Sequence, residues 1–408
     1  MKDNLRKNII WNSIGSTVNA CTSLFLLIIV TRINGTKIGG VFTFSYSLAC
    51  LLQVIITYAG RPYQVTEQNK KIKDSDFFHS RILTTIVTFI IVSLFVLIRG
   101  YKLYKILIIF LAVIYRASDG ISDCLYAVLQ KKELLHKVGK SLLLKGILCI
   151  VSFITTDILT KSILVSLIVL NIVNIIICYF YDYRSTLKTG FKIEKPKKEN
   201  IISILKGGFS VFAFTILIQY LVSAQKYTID STLSDEFQTI YGIILMPATV
   251  VVLISQFIVQ PYLTTISNLI KENKKKELNH LILKMMIYIL AFSIASILAA
   301  YLIGTQVLSI IYGVKLIKYK IDLTFILIGA SLFALSYVLS SVMLALRINY
   351  TQLIIYIVVS VFAYFESIYF VNNYKIFGAS LAYMLSMILL FIMYTTTYIF
   401  IKKGCDKN

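Results

Sequence analysis

The stretch LYKILIIFLAVIYRASDGISDCLYAVLQ (Leu103–Gln130) decides the fold. As a helix rising 1.5 Å per residue it is long enough to cross a hydrocarbon core of about 30 Å. Its run Ile106–Ile114 is unbroken apolar sequence, yet Arg116, Asp119 and Asp123 follow. At 100° per residue the spacing i, i+3, i+7 puts all three within roughly 60° on one face, with Gly120 between them. A charge in hydrocarbon costs at least ~2.5 kcal/mol on insertion scales, so this face must meet protein or water. The stretch is therefore expected inside a bundle of spanning helices.

The rest of the chain agrees. Of 408 residues, 58% are hydrophobic and 15% charged, with a mean hydropathy of +0.80, too apolar for a soluble protein. Apolar segments of spanning length lie near 9–31, 39–60, 78–98, 103–130, 139–158 and 162–182. A second set lies near 204–228, 238–263, 281–303, 322–346, 350–371 and 376–401. The predicted fold class is an all-α integral membrane protein, twelve transmembrane helices in two six-helix lobes around a central cavity. Domain bounds are 1–183 for the first lobe, 184–203 for a basic cytoplasmic linker with Lys188, Lys192, Lys195, Lys197 and Lys198, and 204–408 for the second lobe.

Lys and Arg total 41 against 19 Asp and Glu, a net charge of +22. On a soluble protein this would suggest nucleic acid; on a membrane protein it marks cytoplasmic loops, so no nucleic-acid partner is expected. The cations gather in alternate loops (Lys70, Lys71, Lys73, Lys131, Lys132, Lys274, Lys275, Lys276), which places both termini in the cytoplasm of a multi-pass cell-membrane protein. Lys2, Arg6 and Lys7 before an apolar run resemble a signal peptide, but Asn12, Ser13, Ser16 and Asn19 interrupt that run, and it reads as a retained first helix. The loops expected outside are short, leaving no room for a catalytic domain.

Cys21, Cys50, Cys124, Cys149, Cys178 and Cys405 are scattered, and His79, His136 and His280 lie far apart near helix ends. No metal site, cofactor or nucleophile follows, and the chain is not expected to be an enzyme. The halves echo one another: Gly60-Arg61-Pro62-Tyr63 lies over Val259-Gln260-Pro261-Tyr262, and Leu125–Gln130 over Met343–Arg347. Six helices repeated in the same orientation is a plan of secondary transporters.

Further polar residues lie within spans. The first carries Asn8, Asn12, Ser16, Asn19 and Ser23 on one face; the seventh carries Gln219, Ser223, Lys226 and Asp230. Such stripes line a wet cavity or bond neighbouring helices. Arg116, Asp119 and Asp123 either line that cavity or form a structural ion pair; Asp230, Arg32 and Arg61 sit at span ends, where interfacial placement is cheap. Glu366, mid-span with no basic residue within a turn, is a candidate proton acceptor for ion coupling, as is Asp123; the plainer reading of Glu366 is a protonated acid bonded to the next helix. Pro247 and Pro261 mark a bend in the eighth span.

Ile29-Val30-Thr31-Arg32-Ile33-Asn34-Gly35, followed by Gly39-Gly40-Val41-Phe42-Thr43-Phe44-Ser45-Tyr46, resembles the first helix hairpin of Wzx-type polysaccharide repeat-unit flippases, of the multidrug/oligosaccharidyl-lipid/polysaccharide exporter superfamily. Asn34 stands where leucine is commoner. Gly60–Val65 resembles capsule flippases of Gram-positive bacteria, and Leu129-Gln130-Lys131-Lys132 fits the family's ending of the fourth span. The resemblance implies alternating access and a cargo of undecaprenyl-diphosphate-linked oligosaccharide. Partners implied are that cargo, membrane lipids, a coupling cation (proton or sodium) and the polysaccharide polymerase machinery. Candidate substrate-binding residues are Arg116, Asp119, Asp123, Lys226, Asp230, Arg32, Arg61, Asn12, Asn19 and Gln219, with cations drawing the diphosphate and polar stripes solvating sugars. The alternatives are a drug or metabolite antiporter of the same superfamily, which a carboxylate-dominated cavity would favour; a membrane glycan polymerase or ligase, which needs a large outer loop; and a non-transporting scaffold, which has no use for buried charge.

Overall fold

The computed structural model describes residues 2–67, 71–346 and 348–405. Lys70 and Arg347, read above as a loop cation and as the end of a repeat, lie outside the described residues. The described residues are helical almost throughout. In chain order the helices are α1 (Lys2–Thr57), α2 (Gly60–Thr66), α3 (Asp74–Arg99), α4 (Leu103–Lys131), α5 (Leu135–Thr160) and α6 (Ile163–Ile177). Then follow α7 (Lys198–Thr232), α8 (Asp235–Val259), α9 (Leu263–Lys271), α10 (Lys275–Ala299), α11 (Thr305–Tyr312), α12 (Lys320–Ala345) and α13 (Asn349–Cys405).

Nine helical segments of the described residues are long and apolar enough to cross a membrane. Two of these are double length and broken: Gly35 (φ 82°) interrupts α1 and Lys375 (φ 53°) interrupts α13. Each thus supplies two crossings. Glycine at position 35 adopts this conformation without the penalty a Cβ brings. Helix α4 adds the twelfth crossing, its charges being what separates it from the nine. Lipid-facing stripes confirm the environment: Leu283, Ile287, Leu290, Ile294 and Leu298 run along α10, all about half exposed. No water-facing helix would carry such a row.

The chain divides into two compact units, Met1–Gln219 and Tyr220–Asn408. In the first, α1 packs chiefly on α5 and α4. Small residues permit it: a Cβ on Gly15 would lie 2.0 Å from the Gly139 carbonyl oxygen, and one on Gly146 2.6 Å from Val18. Without a hydrophobic drive between helices in lipid, such backbone approach supplies the attraction. The basic stretch after α6 is fastened to this unit. Phe191 is buried against Leu125 and Val128, the Glu194 amide donates to Ser75 Oγ (2.8 Å), and Lys73 Nζ reaches Glu194 at 2.6 Å. In the second unit α12 is the centre, packed by α13, α8 and α10. The first echo read from sequence falls on matching breaks: Gly60–Tyr63 opens α2 after the second span, and Gln260–Tyr262 forms a 3-10 turn between α8 and α9. Pro247 lies inside α8, whereas Pro261 lies in that turn.

Candidate functional site

The first unit holds an open cavity of about 450 Å³, lined by α1, the start of α2, α4 and α5. Its wall includes Ser16, Asn19, Gln53 and Thr57 from α1, Arg61 from α2, and Arg116, Asp119, Ser122 and Asp123 from α4. Five of the ten candidate substrate-binding residues (Asn19, Arg61, Arg116, Asp119, Asp123) therefore meet here. Helical spacing explains α4's share, since i, i+3 and i+7 keep one face.

How Arg61 reaches the cavity is a backbone matter. Helix α1 ends at Thr57, and Tyr58 (φ 51°) and Gly60 (φ 69°) are left-handed. Glycine takes that conformation freely, but a tyrosine there is strained and must be held by its surroundings. Tyr58 is held: its ring stacks on Phe212 at 4.6 Å and its hydroxyl donates to the Leu205 carbonyl at 2.9 Å. The reversal starts α2 with Arg61 turned to Asp123, Nε to Oδ1 at 3.8 Å. Opposite it, Gly120 lets α1 press on α4; a Cβ there would sit 2.5 Å from Ile56 Cγ2.

Charges in the wall are compensated in two groups. Arg116 contacts Asp119 at 3.3 Å, donates to the Tyr46 hydroxyl at 2.5 Å and lies over the Tyr46 ring at 4.6 Å. Behind Asp119 stands Lys145, 2% exposed, at 3.8 Å from Asp119 and 3.3 Å from the fully buried Asp182. Lys145 also donates to Ser122 Oγ at 2.6 Å, and Asp182 accepts from the Ser141 and Tyr126 hydroxyls. The second group is Asp123 with Arg61 and Arg81, the latter 5% exposed at 3.7 Å. Buried charges demand such pairing because burial removes their hydration.

Arg81, Lys145 and Asp182 were not singled out from the sequence. Each is the kind of in-span charge that flagged Arg116, but each is the single charge its segment brings to the cluster, so no periodic stripe drew them together. The other expected residues lie elsewhere. Asn8 accepts from the His136 amide (2.8 Å) and donates to the Glu133 carbonyl (2.7 Å), tying α1 to the turn before α5. Asn12 is half-buried, its Oδ1 without a hydrogen-bond partner. Arg32 is exposed near the Gly35 break, far along α1 from Asn19. Gln219 closes the first unit, while Lys226 and Asp230, half-buried on α7, belong to the second. Glu366, 7% exposed, accepts from Ser386 through Oε1, and its Oε2 has no partner. Among the described residues no group of acidic, histidine or cysteine side chains is arranged to hold a metal ion.

No protein-family model matches the chain. It is 22% identical over 409 residues to the capsular polysaccharide biosynthesis protein CapF of Staphylococcus aureus, covering 96% of this chain and 98% of that protein. Among solved structures it is similar to the lipid II flippase MurJ in an inward closed conformation, with a TM-score of 0.74 and 15% identity, over 95% of this chain and 87% of that one. It is also similar to an inward-facing MATE-family multidrug resistance transporter of the MOP superfamily, with a TM-score of 0.72 and 13% identity, over 97% and 99%. The chain thus has the all-helical, twelve-span fold of MOP-superfamily transporters. It is a multi-pass membrane protein whose structural neighbours are transporters and flippases, not enzymes.

Proposed function

We propose that the protein is a flippase carrying an undecaprenyl-diphosphate-linked oligosaccharide repeat unit from the cytoplasmic to the outer leaflet, for capsule or surface polysaccharide synthesis. One observation carries the reading: a cavity of about 450 Å³ within a membrane-spanning unit, walled by amides, hydroxyls and paired charges. A glycan cannot cross hydrocarbon with its hydroxyls unsatisfied, and such a wall supplies partners. Around it Arg61, Arg81, Arg116 and Lys145 face Asp119, Asp123 and Asp182, so cations are in excess and the field favours a diphosphate. The similarity along almost the whole length to a protein named for capsular polysaccharide biosynthesis supports a role in such synthesis.

Access alternates between the membrane faces in this reading, with both termini cytoplasmic and the basic stretch 184–203 linking lobes 1–183 and 204–408. Gln219, Lys226 and Asp230, striped along α7, are further candidates for solvating the cargo. Glu366 binds the coupling proton or sodium ion, with Asp123 the other candidate. The likeness to a multidrug transporter supports a second reading, a drug or metabolite antiporter, but the excess of cations at the cavity suits an anionic cargo better.

The test is rescue of a strain lacking its own lipid-linked-oligosaccharide translocator. The wild-type gene should restore surface glycan, and Arg116→Ala should abolish it with the protein still in the membrane. Unchanged glycan at normal protein levels would remove Arg116 from the site.

A further inference from the structure

Three breaks close the first unit at the end opposite the Asn8 tie: Gly35 within α1, Gly100 between α3 and α4, and Lys161 between α5 and α6, all left-handed. Hydrogen bonds and rings join them. Asn34 Nδ2 donates to Asp157 Oδ2 at 2.7 Å and Ser166 Oγ to Asp157 Oδ1 at 3.1 Å, which brings α1, α5 and α6 together and gives the asparagine before Gly35 its use. The α3–α4 turn is attached through Tyr101, whose ring lies 5.8 Å from that of Phe44 in α1, with Lys105 Nζ 4.9 and 4.8 Å from the Phe44 and Tyr101 rings. The stretches 29–40, 93–108 and 153–168 hold six cations, Arg32, Lys37, Arg99, Lys102, Lys105 and Lys161, and one acid, Asp157. Asp157 is fully buried and taken by its two donors, so no exposed carboxylate of these turns offsets the cations, all of which except Lys105 are exposed. The corresponding turns of the second repeat carry both signs: Asp235, Glu236 and Asp322, and Lys315, Lys318, Lys320 and Lys375.

With both termini cytoplasmic these turns face outside, where short loops are ordinarily poor in Lys and Arg. A collar of one sign there calls for an anion. Apolar side chains adjoin the cations along the chain: Leu97 and Ile98 precede Arg99, Leu103 follows Lys102, and Ile158 and Leu159 precede Lys161, all more than half exposed and Ile98 84% exposed. A soluble anion would use the charges and leave that apolar row idle, whereas a phospholipid uses both. We propose that this end of the first unit binds anionic phospholipid of the outer leaflet, with its main seat at the α3–α4 turn. There Arg99 and Lys102 take the phosphodiester, and Leu97, Ile98 and Leu103 lie along the acyl chains. Arg99 is held at the turn by Nε donating to the Tyr101 hydroxyl at 3.2 Å. The assignment of the leaflet rests on the orientation proposed above; the lipid chemistry rests on neither that orientation nor the cargo.

The full chain in a non-ionic detergent, melted against rising short-chain phosphatidylglycerol or phosphatidylcholine, tests it, because a ligand of the folded state raises the melting temperature with its concentration. Phosphatidylglycerol should stabilise the wild type at concentrations where phosphatidylcholine does not; equal stabilisation by both overturns the choice of an anionic lipid. Each cation near an anionic headgroup contributes about fivefold in affinity, so Arg99→Gln/Lys102→Gln should need about twenty-fold more phosphatidylglycerol for the same shift. An unchanged titration overturns the seat. If that variant does not fold, Lys102→Gln alone, at an exposed side chain, carries the test with about a fivefold change. Lys192→Gln/Lys195→Gln in the basic stretch removes the same charge and should leave the titration as it is; an equal loss there overturns a local seat in favour of net charge. Ile98→Ser/Leu103→Ser keeps every cation and should weaken binding several-fold. Unchanged binding in that variant, or inorganic phosphate reproducing the stabilisation at equal concentration, overturns the lipid as occupant. Lys161→Cys should be labelled in intact cells by a membrane-impermeant maleimide; labelling only after permeabilisation overturns the outer leaflet together with the proposed orientation and leaves the lipid seat standing.

Discussion

Helices α4 and α12 are the fourth spanning helices of their respective halves, yet they are built on opposite principles. Helix α4 carries Arg116, Asp119 and Asp123 on one face and turns that face to a cavity. Helix α12 has no charged residue from Leu323 to Leu346. It buries Ser331, Ser336, Ser340 and Ser341 instead, and Ser340 donates to Gln352 Oε1 at 2.7 Å, which also accepts from the Tyr394 hydroxyl at 3.1 Å. The first interior is held by ion pairs whose members have high desolvation costs; the second is held by neutral hydrogen bonds worth about 1 kcal/mol each. The fourth span of the first half thus carries a charged cavity wall, and that of the second half a neutral, closely packed core.

The sharpest way to break this comparison is Lys145→Met. It leaves Asp182 buried beside two hydroxyls with no cation, which should cost about 3–5 kcal/mol and lower the unfolding temperature of the purified protein markedly. Adding Asp182→Leu should restore most of the loss; a melting curve unmoved by Lys145→Met would mean that the pair holds nothing. Gly120→Val is expected to come next. Its side chain must displace Ile56, an overpacking of roughly 1–3 kcal/mol, visible in the same melt, and wild-type stability would show that α1 and α4 are not in close contact there. Smallest should be Glu366→Gln, which keeps an acceptor for Ser386 and should change stability by less than about 1 kcal/mol. Its effect belongs to transport: dependence on an imposed proton or sodium gradient should vanish, and flipping that still responds to gradients would exclude the coupling role.

How far the sequence carries the structure follows the range of the interactions. The twelve spans are legible because hydrocarbon thickness imposes a length and a composition on each separately. The α4 stripe is legible because 3.6-residue periodicity is local. What was not legible is assembly. Arg81 comes from α3, Lys145 from α5, and Asp182 from the π-helical turn Cys178–Tyr183 after α6, one charge each, joined only by folding. The reversal at Tyr58–Gly60 that turns Arg61 inward is also not written in any periodicity, although Gly60 before Arg61 and Pro62 hints at a break. Conversely, the polar stripe of α1 divides in the structure: Ser16 and Asn19 reach the cavity, while Asn8 ties the α4–α5 turn.

Whether a charged headgroup passes through a protein-lined polar interior is measured directly by reconstitution. Vesicles containing the purified chain and a fluorescent undecaprenyl-diphosphate oligosaccharide are probed with a membrane-impermeant glycosidase. Glycan loaded in the inner leaflet should become cleavable with the wild type and stay protected with Arg61→Gln. Cleavage no faster than in protein-free vesicles, from a chain verified as folded, would contradict such passage.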